Sequence, residues 1–92
     1  HELLLKLHLD RAVLGGTGLA DDDRNVTGNM MQYYGFNHWR YRHAAHPRTP
    51  AVLVELGYLS NARDRELLAS PDALAAALEA GVVGYLRELG RL

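Results

Sequence analysis

Cysteine is absent from the 92 residues. No disulfide framework, cysteine-rich zinc site or cysteine nucleophile can therefore be built from this chain. The absence fits a reducing compartment, but exported bacterial enzymes without cysteine are common, so it fixes no location. Charge imbalance is lacking as well. Ten basic against 11 acidic residues give a formal net charge of −1, so no whole-chain field attracts nucleic acid or anionic lipid. No apolar run approaches the length needed to span a membrane. The N-terminus carries no signal-peptide pattern: His1-Glu2 precedes Leu3-Leu4-Leu5 with no basic leader and no initiating Met. Such an opening reads as mid-helix, in a portion of a longer polypeptide. Internal repeats and low-complexity tracts are missing too.

What is present reads as one small globular domain. The hydrophobic fraction is 48% and the charged fraction 23%, outside the range of disordered tails. The spacing predicts a helix from Glu2 to Leu14. Leu3, Leu7 and Leu14 lie near one face, Leu4 sits beside them, and Leu5 and Leu9 widen the stripe, so burial on more than one side is expected. Gly15 and Gly16 are expected to stop it. Thr17 to Asn37 is polar and irregular, with apolar and aromatic mass entering at Met30, Met31, Tyr33, Tyr34 and Phe36. His38 to Ala45 alternates like a strand, with Trp39, Tyr41 and His43 on one face and Arg40 and Arg42 on the other. Pro47 and Pro50 bracket a turn.

The run Ala51-Val52-Leu53-Val54-Glu55-Leu56, between Pro50 and Gly57, reads as a strand buried on both faces. Asn61 is placed to cap a short helix through Leu68, with Asp64 near its positive end. Ser70-Pro71-Asp72 opens a second helix, in which Leu74, Leu78, Val82, Tyr85, Leu86 and Leu89 recur at helical spacing and Gly90 ends the segment. That leucine face is expected to pack on a sheet. The expected architecture is α/β: a mixed sheet flanked by helices on both faces, with residues 1–92 supplying the C-terminal portion.

Glu55 is out of place in such a strand. A buried carboxylate needs a compensating partner, or its charged form is disfavoured. One outcome is a general base. The ordinary alternative is a structural ion pair with Arg40, Arg42 or Arg48.

The order Pro50-Ala51-Val52-Leu53-Val54-Glu55-Leu56-Gly57-Tyr58-Leu59-Ser60-Asn61 closely resembles the last motif of the zinc-dependent N-acetylmuramoyl-L-alanine amidases of the amidase 3 family. In that family a proline, an apolar strand, Glu-Leu-Gly, an aromatic and a Ser-Asn or Thr-Asn pair occur in this order. The likeness continues through Asp64, the pair Leu67-Leu68 and the late Tyr85-Leu86, and covers about half of the chain. It implies a cell-wall hydrolase that cuts the bond between the lactyl group of N-acetylmuramic acid and L-alanine. It implies one zinc ion held by two histidines and a glutamate, with Glu55 as catalytic base and transition-state stabiliser. Tyr58, three residues on, is a candidate for shaping the substrate pocket. The family's ligand settings, Gly-His-Gly and Ser-x-His-x-Asn among them, do not occur here. His1 and His8 lack those surroundings, so no metal ligand is assigned and the zinc ligands are expected on sequence upstream. Alone, the chain is expected to be inactive. Peptidoglycan is the implied partner and the periplasm or cell wall the implied location.

Other features carry weaker readings. His38, His43 and His46 are close in sequence, but their spacing matches no compact zinc pattern and solvated loop histidines are the simpler account. Asp21-Asp22-Asp23 lacks the alternating ligands and glycine of a calcium loop. Asn25-Val26-Thr27 fits a glycosylation sequon that also arises by chance. Trp39, Arg40 and Tyr41 suit either a sugar groove or a packed aromatic face. Two other classes compete with the amidase: a non-catalytic module binding peptidoglycan or a divisome partner, and a zinc carboxypeptidase relative. A buried strand without neighbours would expose an unpaired edge, so self-association is expected.

Overall fold

The leucine-rich opening forms helix α1, Glu2–Thr17, in the computed structural model, which describes residues 1–22, 30, 33–37, 39–42 and 44–92. Lys6 and Asp10 pair one turn apart on its exposed face at 2.5 Å. Gly15 and Gly16 do not stop it. The helix runs on to Thr17, whose hydroxyl donates back to the Val13 carbonyl at 2.6 Å, and Gly18 ends it at φ +73° with its N–H on the Leu14 carbonyl. The left-handed residue sets the end, and only Gly18 adopts that conformation here.

Helix α2, Ala62–Leu68, begins at Asn61, whose side chain accepts the Asp64 N–H. Helix α3, Pro71–Glu88, comes next after a bend of 78°. Proline fits the first helical turn because its missing N–H would have no intrahelical partner there. The Ser70 side chain makes no capping bond, so the expected cap is carried by Pro71 and by Asp72 against the helix dipole. At the other end Gly90, at φ +71°, lets Arg91 N–H reach the Leu86 carbonyl at 2.8 Å. No single described helix is long and apolar enough to cross a membrane.

The chain divides into two units, His1–Ala20 with Val52–Leu92, and Asp21–Ala51. In the first, α1 and α3 pack antiparallel: Gly16 meets Ala77, Leu9 meets Gly81, and His8 lies over Gly84. The core is Leu9, Val13, Leu74, Ala77 and Tyr85. Glycine permits the crossing, since a Cβ on Gly81 would stand 2.9 Å from Leu9 Cδ2 and 3.0 Å from Leu9 Cα. The His8 imidazole meets the Tyr85 ring edge-on at 6.4 Å and bonds Glu88 through Nε2. The Tyr85 hydroxyl is buried with no hydrogen-bond partner among the described residues.

The described residues of the second unit include a short 3₁₀ turn, Tyr34–Phe36. Tyr33 and Phe36 meet edge-to-face at 5.5 Å, and Ala45 N–H bonds the Gly35 carbonyl at 2.6 Å.

The expected α/β fold is not what forms. The described residues contain three α-helices and no strand. A strand exists only where a second backbone segment completes its ladder. Among the described residues, 51–57 have no such partner and take no regular structure, with Leu53, Val54 and Glu55 exposed. Trp39, Arg40 and Arg42 lie in turns, so the described part of His38–Ala45 is no strand either. Helix α3 therefore packs on α1 and not on a sheet. The buried face of α1 also differs from expectation: Leu3 is 82% exposed and Leu7 42%, while Leu9 and Val13 point to α3.

Candidate functional site

Segment 50–61 turns from an irregular apolar stretch into the first turn of α2, and that turn is tied together bond by bond. Asn61 N–H donates to the Tyr58 carbonyl at 3.0 Å, closing a four-residue turn over Tyr58 to Asn61. The Asp64 N–H donates to Asn61 Oδ1 at 3.0 Å. Asp64 Oδ2 in turn accepts the Tyr58 N–H at 3.0 Å. Arg65 adds a fourth tie, its guanidinium donating to the Leu59 carbonyl at 2.5 Å. Gly57, at φ +148°, lies against the Asp64 side chain, where a Cβ would be 3.1 Å from Asp64 Cβ. Most side chains resist that φ, so glycine suits the position on both counts.

Glu55 stands two residues before Gly57, exposed, with no hydrogen bond or ion pair to a described residue of its unit. The buried carboxylate expected from the sequence is thus replaced by a solvated one. The desolvation argument for its chemistry does not apply. Arg40, Arg42 and Arg48, the alternative structural partners, belong to the other unit. Tyr58 is 48% exposed beside Leu59 at 75%, so an aromatic and an aliphatic side chain border the same turn. Glu55 is thus a solvated carboxylate in an irregular stretch three residues before that turn.

Among the described residues, the others marked in the sequence do not assemble into a site. His46 is exposed and its Nδ1 accepts the Arg48 N–H at 3.1 Å inside a turn; His38 and His43 lie outside the described residues. Asp21 is exposed and Asp22 half-buried, while Asp23 and the Asn25–Thr27 triplet are outside the described residues. Trp39 is 87% exposed, and the Arg40 guanidinium sits 5.6 Å from the Tyr41 ring centre, a cation–π stack that matches neither a packed strand face nor a formed groove. His1 is exposed at the start of α1 and His8 is engaged by Glu88.

A cleft of about 410 Å³ opens in the first unit between Thr17, Arg63, Glu66, Leu67, Ser70 and Leu74. Neither Glu55 nor Tyr58 lines it. The contributions of Asp64 and Arg65 to the Tyr58–Asn61 turn were not evident from the sequence. The only signal was Asp64's place three residues after the cap, from which an acid can reach back to a preceding N–H.

Among the described residues, no group of three or more His, Cys, Asp or Glu side chains could hold a metal ion. The zinc implied by the motif therefore does not fit these residues alone. No protein-family model matches the chain, and no curated protein or solved structure matches it significantly. The likeness to the amidases accordingly rests on Pro50–Asn61 and the later residues Asp64, Leu67, Leu68, Tyr85 and Leu86.

Proposed function

We propose that this chain carries the base-bearing segment of an N-acetylmuramoyl-L-alanine amidase, with Glu55 as general base and Tyr58 beside the substrate. The order of residues from Pro50 to Asn61 carries this reading. The exposure of Glu55, three residues before a turn tied to α2, supports it, because a base must reach water and substrate together. In the reaction, water oxygen bonds the lactyl carbonyl carbon and the carbon–nitrogen bond to L-alanine breaks. Glu55 takes the water proton and returns it to the departing nitrogen. Zinc, when bound, would acidify water and polarise the carbonyl. Its ligands would come from residues other than these 92. Peptidoglycan is the substrate, and the periplasm or cell wall the place of action.

The bond that is cut separates this reading from its rivals. Full-length polypeptide containing these residues is incubated with purified peptidoglycan, with and without a chelator, and the new termini are identified by mass spectrometry. Chelator-sensitive appearance of stem peptides with free L-alanyl amino groups is the expected result. Release of single residues from the carboxyl end of the stem would indicate a carboxypeptidase. Binding without any cleavage would indicate a wall-binding module.

A further inference from the structure

We infer that Asp64 is a positioning residue for the segment from Glu55 to Tyr58, which enters the Tyr58–Asn61 turn, acting through the Tyr58 backbone; this rests on the amidase reading above. In an ordinary capping box the acid three residues after the cap reaches the N–H of the cap residue itself. Here that N–H, on Asn61, is already taken by the Tyr58 carbonyl. Asp64 Oδ2 instead reaches three residues further back and accepts the Tyr58 N–H at 3.0 Å. The same carboxylate lies against Gly57, whose φ of +148° lets the backbone come this close. Glu55 is then two residues from a fixed glycine and three from a fixed amide.

The bonds around Asp64 make the arrangement directional. Its own N–H is held by Asn61 Oδ1, so the side chain leaves α2 from a capped, fixed first turn. Arg65, the next residue, holds the Leu59 carbonyl on the far side of the same turn. Two consecutive helical residues of opposite charge thus grip the turn, the acid taking a donor and the base an acceptor. None of the backbone groups from Val52 to Gly57 is hydrogen-bonded to a described residue. The orientation of Glu55 relative to α2 is therefore set from its C-terminal side, by the turn at Tyr58 to Asn61. The Asp64 side chain touches both Gly57, just before that turn, and Tyr58, its first residue.

The test uses Asp64→Ala and Asp64→Asn, because asparagine keeps an acceptor oxygen for the Tyr58 N–H and alanine does not. In the 92-residue chain, Asp64→Ala is expected to raise Tyr58 amide exchange about tenfold while Leu9 and Tyr85 amides keep their protection, and Asp64→Asn to recover most of it. In the full-length polypeptide, Asp64→Ala is expected to lower kcat on peptidoglycan about ten- to a hundredfold with KM within about twofold, and to add little on top of Glu55→Gln. Unchanged Tyr58 exchange in Asp64→Ala overturns the inference. So do equal losses in the alanine and asparagine variants, or full additivity with Glu55→Gln. An inert Glu55→Gln substitution would instead remove the amidase reading, and the exchange measurement would still decide whether Asp64 holds the turn.

Discussion

Replacing Gly81 by alanine tests the helix pairing from which the rest of the first unit hangs. Two effects oppose each other. Alanine in a helix interior is favoured over glycine by about 1 kcal/mol. The new methyl would meet Leu9 Cδ2 at 2.9 Å, Leu9 Cα at 3.0 Å and the His8 carbonyl oxygen at 3.2 Å. The leucine methyl can rotate away, but the other two atoms are backbone, so α1 and α3 must part by a few tenths of an ångström. Overpacking of this kind costs about 1–3 kcal/mol, so Gly81→Ala is expected to lose about 1 kcal/mol net. Gly15 supplies the control: it too is helical, but a Cβ there meets nothing within 4 Å. Gly15→Ala should therefore gain up to about 1 kcal/mol. Urea unfolding monitored by circular dichroism at the helical band compares midpoints at constant slope. The two variants should move in opposite directions and differ by about 2 kcal/mol. A Gly81→Ala protein as stable as Gly15→Ala would refute the close crossing.

Removing the α2 cap with Asn61→Ala should cost about 1 kcal/mol, seen as faster amide exchange at Asp64 and in the rest of α2 with the α1–α3 amides unchanged; unchanged exchange at Asp64 would show that the cap bond is not formed. Leu53, Val54 and Leu59 are exposed, at 48%, 37% and 75%, beside backbone groups of Val52 to Gly57 that bond no described residue. A second copy of the chain is expected to pair with this stretch, giving sedimentation that depends on concentration and is suppressed by Leu53→Lys. A cooperative monomer at all concentrations would count against it.

The termini of α2 and α3 were legible because each rests on local chemistry, whereas α1 runs past Gly15 and Gly16 to Gly18. Asn61 bonding Asp64, Pro71 in the first turn of α3 and Gly90 beyond its end all depend on one or two residues. The burial pattern was not legible in the same way. Counting leucines favoured the Leu3–Leu7 face of α1, yet α3 offers Ala77, Gly81 and Gly84, where a backbone can come close, and Leu9 meets that stripe. Small residues contribute little to apolar periodicity, although they decide which helix faces touch.

The run from Ala51 to Leu56 shows the opposite problem. Its composition suits a buried strand, but pairing is a property of two segments and cannot be read from one. Glu55 stood out in the sequence both as a charge within an apolar run and as part of a motif. The first does not hold, since the charge is in water, and the second rests on the order of residues alone. Asp64 gave little sign of its role because its partner is a backbone amide, which every residue but proline possesses.

The central claim is that Glu55 moves the proton in peptidoglycan amide hydrolysis, and Glu55→Gln in the full-length polypeptide tests it most directly. Glutamine keeps the size and polarity of a side chain that is already exposed, so folding and zinc content should match wild type. Release of stem peptides should fall by about 10²- to 10⁴-fold, the usual contribution of a general base. Equal rates for the two proteins, at equal zinc content, would contradict the account and leave Glu55 as a solvated surface residue.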